Sequence, residues 1–419
     1  MQQLKYWDET KRAPATNISI GSPPSINSEV DKALLEQLPN IQQRLFVLFS
    51  SYKDFNSFGN KAWSVAQNTS SLELDSIEAV HDVIHLYGGL HGHMTYVPLS
   101  SFDPLFFIHH VTMDRLIAMW QILNPTAWIT PMPAGETSYN SVMGTIQTSK
   151  TPLTPFYISG DGTFWDSDMA RYTTTFGYAY ADTDPTLVAM GESLAESLSR
   201  KIAGWYGASV VMGLRDERED DLPTAQTSRI TRKPGNLRHA KPNLRHDAAD
   251  PPLSATRDAN GDAWVWKIGA IVDTDALEGI FEIHLYLGEM SATCENPRSP
   301  NYAGSIAIRT QYHGHPSQSE LLERKPKTAA STPINPALIK LAGAGYISSL
   351  DPAVVVPVLH DALHFRVCAS NLTEVNPDDV PGLRMIAVTL KAMFGEDGEI
   401  TRVEHPVIRL KVFGDFEAD

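Results

Sequence analysis

His81 and His85 stand four residues apart, and the ordered run Asp103-Pro-Leu-Phe-Phe-Ile-His-His-Val-Thr-Met-Asp-Arg115 follows them. No other feature constrains this chain as much. Residues four apart on an α-helix lie one above the other on the same face, so both imidazoles can reach one ion. Ser76 is placed to cap that helix, Glu78 falls in its first turn, and Gly88-Gly89 ends it. The second run predicts another helix, with Asp103 as N-cap and Pro104 at its first position, continuing apolar to Trp120. His109 and His110 are neighbours there and point about 100° apart, so one ion takes one of them. Asp114 sits one turn beyond His110 and can accept the second ring N–H, fixing the tautomer of a ligand. His110 is therefore the expected third ligand, and His109 a packed or hydrogen-bonded neighbour. Three imidazoles suit copper or zinc alike.

Other histidine pairs carry less. His91 and His93 fall in a Gly-rich loop and read as loop residues, and His313-Gly-His315 is a weak signal. His360 and His364 lie in a valine-rich run that reads as a strand, where residues four apart are roughly 13 Å from each other, too far for one ion.

The chain's 419 residues suggest two or three domains. A net charge of −15 argues against nucleic acid as a partner. No continuous apolar stretch reaches the roughly 20 residues of a membrane span. No leader is visible, and the sequons at Asn17, Asn68 and Asn371 carry little weight without one. Cys294 and Cys368 are too few for a disulfide framework. They could form one bridge, but the expectation is two buried thiols and a cytoplasmic setting.

Three regions follow along the chain. Residues 1–212 are mostly helix and loop, with helical stretches at 30–51 and 185–205. Residues 213–262 are charged and poor in apolar side chains, repeat Asn-Leu-Arg-His, and read as a linker open to proteolysis. From 263 to 419 period-two alternation takes over, as in Trp264, Trp266 and Ile268, and argues for a β-sandwich-like domain.

The combination of His81-Asp-Val-Ile-His85, Gly92-His-Met94, Asp103 through Arg115 and Met119-Trp-Gln121 resembles the second-copper half of a fungal-type tyrosinase. Leu38 through Leu45, Ser51 through Gly59 and Phe176-Gly-Tyr-Ala-Tyr180 extend the likeness. It implies a mainly α catalytic domain with a helical-bundle core, truncated at its N-terminus, then a β-rich lid domain at 263–419 that keeps the enzyme latent until the linker is cut. It also implies a dinuclear copper enzyme that uses O2 to hydroxylate monophenols and oxidise o-diphenols to o-quinones, as in melanin formation, with small phenols and O2 as partners. By that resemblance His81, His85 and His110 hold the second copper. Glu78 orients a water that helps deprotonate the phenol, Val97 is the substrate gate, and apolar Leu86 suits an uncharged substrate. Asp82 stands where active monophenolases often carry Asn, which favours a catechol oxidase as the rival reading.

A further departure concerns the first copper. In the family its histidines precede a Tyr-Trp-Asp element, which here is Tyr6-Trp7-Asp8, and no histidine precedes His81. The expectation is a first-copper segment missing from this chain and one copper site visible, so the chain by itself would be inactive. The competing explanations are an incomplete product of a full gene, a non-catalytic copper-binding paralogue, and ligands supplied from elsewhere.

Overall fold

The structure, a computed structural model, describes residues 7–14, 23–63, 73–207 apart from 136 and 139, 253–310 apart from 278 and 295–298, 327–395, and 400–414. Tyr6, the sequons at Asn17 and Asn68, nearly all of the expected linker with both Leu-Arg-His repeats, and His313 with His315 lie outside these residues. Among the described residues no helix is long and apolar enough to cross a membrane.

The N-terminal region is built on three helices. The first, Asn27–Ser51, buries Leu45, Phe46, Leu48 and Phe49. The HxxxH helix runs Ile77–Gly89, and Ser76 caps it by accepting from the Ala79 amide. Its C-cap residue, Leu90, adopts the left-handed conformation. The double-histidine helix runs Leu105–Leu123, one residue later than the sequence suggests. Asp103 still caps it, accepting from the Leu105 amide at 2.9 Å, while Arg12 grips the same carboxylate at 2.8 and 2.6 Å. That bidentate pair ties the N-terminal segment to the helix start. A further helix, Leu194–Ile202, opens on a Ser193/Glu196 capping box, and two short antiparallel strands, β1 (Met132–Pro133) and β2 (Ile146–Gln147), precede it.

The C-terminal domain is a sandwich of two antiparallel sheets. One orders β10 (Ile400–Val403), β9 (Arg384–Phe394), β3 (Ala263–Asp273) and β6 (Lys327–Pro333), with β11 (Val407–Phe413) also on β9. The other orders β5 (Tyr302–Arg309), β4 (Ile280–Leu287), β7 (Leu363–Cys368) and β8 (Glu374–Val375).

Strand alternation assigns the two faces of β3 to two different cores. Trp266, Ile268, Ala270 and Val272 face Phe281, Ile283 and Leu285 of the second sheet. Ala263 and Val265 instead join Phe46, Leu48, Trp120 and their neighbours in the helical core. Both faces are therefore buried, and the sheet reads as a continuous apolar run rather than a half-wet strand. Polar groups cross the same interface. Arg44 clamps Asp75 at 2.8 and 2.6 Å with both side chains buried, and Ser331 of β6 donates to Asp75 at 3.1 Å.

Three expectations need correction. The valine-rich run is a helix, Pro352–Ala362, with Asp351 capping Ala353 and Pro352 in its first turn. Val355 and Leu359 pack that helix into the sandwich core, which overrides β-branched propensity. His360 lies in its last turn and His364 lies in β7. Residues 253–262, expected in the linker, are packed against the C-terminal domain: Ala255 is buried, its carbonyl accepts from the Leu350 amide, and Lys391 holds Asp258 and Asp262. Finally, Cys294 and Cys368 form a disulfide across 74 residues. The cysteine content thus no longer argues for a reducing compartment.

Candidate metal centre

The HxxxH helix is a wedge between the domains. Ile77 and Val80 face the helical core, while Val83, Leu86 and Tyr87 pack against Ile280 and Ala307 of the C-terminal domain. Tyr87 donates to Glu282 at 2.8 Å and lies 2.5 Å from the Ser305 hydroxyl. Leu86, expected along a substrate approach, is instead part of this packing. With these faces occupied, His81 and His85 are directed at the double-histidine helix.

Four imidazoles meet there. His81 Nε2 lies 3.0 Å from His85 Nε2 and 3.2 Å from His110 Nε2. Three nitrogens sharing a tetrahedral ion at 2.0–2.1 Å would stand about 3.3 Å apart, so this spacing fits a metal. Each of the three rings has its Nδ1 beside an acceptor: Asp82 at 3.1 Å for His81, the Met94 carbonyl at 2.9 Å for His85, and the Phe106 carbonyl at 2.6 Å for His110. A ring whose Nδ1–H is held in this way offers its Nε2 lone pair to an ion.

His109 belongs to the same cluster. Its ligand atoms fall with those of His81 and His85 within 4.8 Å, and its ring packs near-parallel to His81 at 4.9 Å. Its Nε2 is buried with no hydrogen-bond partner. Among the described residues His81, His85 and His109 are the one group of three or more potential metal ligands drawn this close together, and His110 adjoins it through His81 Nε2. Burial, reinforced by His81, pushes the His85 imidazole down to about 4, and burial with the neighbouring histidines pushes His109 to about 3. Burial also lowers His110. These rings are neutral at pH 7, the state a metal requires.

The carboxylates depart from the sequence reading. Asp114 does not anchor His110: it accepts from the Tyr178 hydroxyl at 2.7 Å and the Tyr180 hydroxyl at 2.5 Å. The i−4 carbonyl of Phe106 holds the His110 ring instead, a local acceptor that a search for side-chain partners overlooks. Asp82 is buried and bound by Lys61 at 2.7 Å, with Arg309 at 3.5 Å. Burial opposes its charge, but Lys61, His81 and Arg309 outweigh this and hold the carboxylate well below its usual range. Glu78 is partly exposed and accepts from the Lys61 amide at 3.0 Å. Val97 is half-exposed on the turn before Ser100–Phe102. His93 is structural, with its Nδ1 accepting from the Lys11 amide at 2.9 Å.

Comparison with known proteins settles the ancestry of this arrangement. Residues 2–123 match the common central domain of tyrosinase, and residues 265–387 match the tyrosinase C-terminal domain. The chain belongs to the tyrosinase family. A tyrosinase of Neurospora crassa is 24% identical over 89% of this chain and 63% of its own length. A tyrosinase of Podospora anserina is 32% identical over 63% of this chain and 48% of its own. The structure of recombinant mushroom tyrosinase shares the fold, with a TM-score of 0.65 at 22% identity, covering 91% of this chain and 61% of that one. The chain thus spans less than two thirds of the length of these relatives.

Lys61 and Arg309 escaped sequence reasoning. Lys61 lies in the turn just after the short helix Phe55–Gly59 and Arg309 closes β5 in a different domain, so no spacing pattern links them to Asp82.

Proposed function

We propose that this tyrosinase-family chain serves an O2-dependent copper oxidoreductase acting on small phenols, with His81, His85 and His110 holding one copper. The observation that carries the reading is that His81 Nε2 lies within 3.2 Å of both His85 Nε2 and His110 Nε2, with an Nδ1 partner in place for each of the three rings. A bound copper would supply O2 binding and electron transfer. Around it, the chain's part is to keep the imidazoles neutral, oriented and shielded from water. Glu78, partly exposed beside the cluster and restrained by the Lys61 amide, is the group to take a phenolic proton, directly or through water. Val97 is the gate residue. In the overall change two o-diphenols pass four electrons and four protons to one O2, giving two o-quinones and two waters. Hydroxylation of monophenols is the family's further activity. The family's chemistry uses a pair of coppers, and the described residues furnish ligands for one.

A second reading, oxidation of o-diphenols without hydroxylation of monophenols, draws on Asp82. Its carboxylate is committed to Lys61, Arg309 and His81, and it has no amide with which to hold a reactive water.

Copper per chain, measured together with catechol and tyrosine oxidation, tests both readings. Copper uptake with oxidation of both substrates supports the first reading, and with catechol alone the second. Uptake of one copper without turnover overturns both readings as activities of this chain alone and leaves a half-site or a binding paralogue. The lid role of residues 263–419 is a separate part of the proposal, supported by the packing of that domain on the HxxxH helix. Cleavage within 215–262 then raises catechol oxidation, and equal rates before and after cleavage overturn it.

A further inference from the structure

Lys61 is tied to both sides of the domain interface. Its backbone carbonyl accepts from the Ala329 amide of β6 at 3.0 Å, and its ammonium donates to the Arg309 carbonyl at the end of β5 at 3.2 Å. The same ammonium reaches Asp82 at 2.7 Å and Glu78 at 3.7 Å, while the Lys61 amide donates to Glu78 at 3.0 Å. Arg309 adds its guanidinium 3.5 Å from the other Asp82 oxygen. That oxygen is also the one 3.1 Å from His81 Nδ1. A short path therefore runs from two strands of the C-terminal domain, through one lysine, to the carboxylate behind the central histidine of the cluster and to the carboxylate beside it.

We infer that Lys61 is a positioning residue through which the docked C-terminal domain sets the orientation of His81 and Glu78. A buried carboxylate with two cationic partners has few alternative arrangements. Fixed in this way, it holds the His81 ring with Nε2 turned toward His85 and His110. Remove the ammonium, and Asp82 loses its closest partner while Glu78 loses a tether. His81 is then free to turn, and groups that hold a ligand in this way typically contribute 10–100-fold to metal affinity. The inference rests on the copper reading of the site and deepens it, since the C-terminal domain becomes part of the centre's support rather than a cover alone.

The test uses the full chain, with Cu(II) affinity measured by chelator competition and the Cu(II) electron paramagnetic resonance spectrum recorded at saturation. Lys61→Met is expected to weaken binding about 10–100-fold and to change the spectrum, because the donor geometry changes. Arg309→Met, which leaves the closer partner in place, gives a smaller shift in the same direction and serves if Lys61→Met does not fold. Introduced on top of Asp82→Asn, Lys61→Met adds little, because the group through which it acts is gone. A folded Lys61→Met protein with unchanged affinity and spectrum, while His81→Ala abolishes uptake, overturns this inference and leaves the copper reading standing. If the unsubstituted chain takes up no copper, the reading of the site falls and this inference falls with it.

Discussion

The two helices that supply the histidines live in opposite surroundings. Most of the HxxxH helix is buried, with Val83, Leu86 and Tyr87 covered by the C-terminal domain. The double-histidine helix buries Leu116, Met119 and Trp120 on one side and leaves Phe107 59%, Ile108 66% and Val111 56% exposed on the other. One wall of the cluster is thus braced by a second domain, and the described part of the chain leaves the other bare. Orientation of His81 is tied to domain docking through Asp82, whereas the His85 ring is held by the Met94 carbonyl of its own region. Orientation of His110 is local, set by its own helix through the Phe106 carbonyl.

This contrast can be broken by substitution on either side. The largest effect is expected on the inner face of the double-histidine helix. Trp120 is fully buried, stacks on Phe58 at 4.6 Å and donates to the Tyr52 carbonyl. Trp120→Ala should cost about 3–5 kcal/mol in denaturant unfolding. A loss under 1 kcal/mol, within the range of surface substitutions, would show that this face is not the anchor. Ser76→Ala removes the cap of the HxxxH helix and should cost about 1 kcal/mol. If docking alone fixes that helix, the loss will be absent.

The C-terminal domain offers a pH test of its bracing role. His284 is buried in β4, and burial lowers its imidazole below the ordinary value of 6.5 despite the nearby Glu282. A depressed folded value means that the unfolded chain takes up the proton first, so stability falls as pH drops below about 6.5 and levels off beneath the folded value. Unfolding midpoints measured from pH 7.5 downward should show this decline, and His284→Gln should flatten it. An unchanged slope in His284→Gln would assign the decline to other groups. The smallest effect belongs to the bare face: Ile108→Ser should move stability by no more than about 0.5 kcal/mol. A larger loss would mean that something covers Ile108.

What the sequence could show was local. The Ser76 cap, the Asp103-Pro104 start and the His81/His85 spacing all act within a few residues, and each is realised within a residue of its expected place. The sandwich was legible from alternation, although Val265 and Lys267 could not reveal that the outer face of β3 is also covered. Asp351 followed by Pro352 is a helix-start signature, and the valines of 354–356 that follow it favour a strand by propensity alone. Asp114 sits one turn from His110 but meets two tyrosines that approach from residues 178 and 180. The Cys294–Cys368 bridge, Lys61 and Arg309 join segments far apart in the chain, which only the folded structure brings together.

On the proposed copper reading the third ligand is His110, whose Nδ1 is anchored, and not His109, whose Nε2 is buried without a partner. Copper affinity of His110→Ala and His109→Ala, measured side by side by chelator competition, tests this most directly. Loss of binding in His110→Ala with binding retained in His109→Ala is the predicted result. Binding retained in His110→Ala and lost in His109→Ala would contradict it and move the centre to His81, His85 and His109.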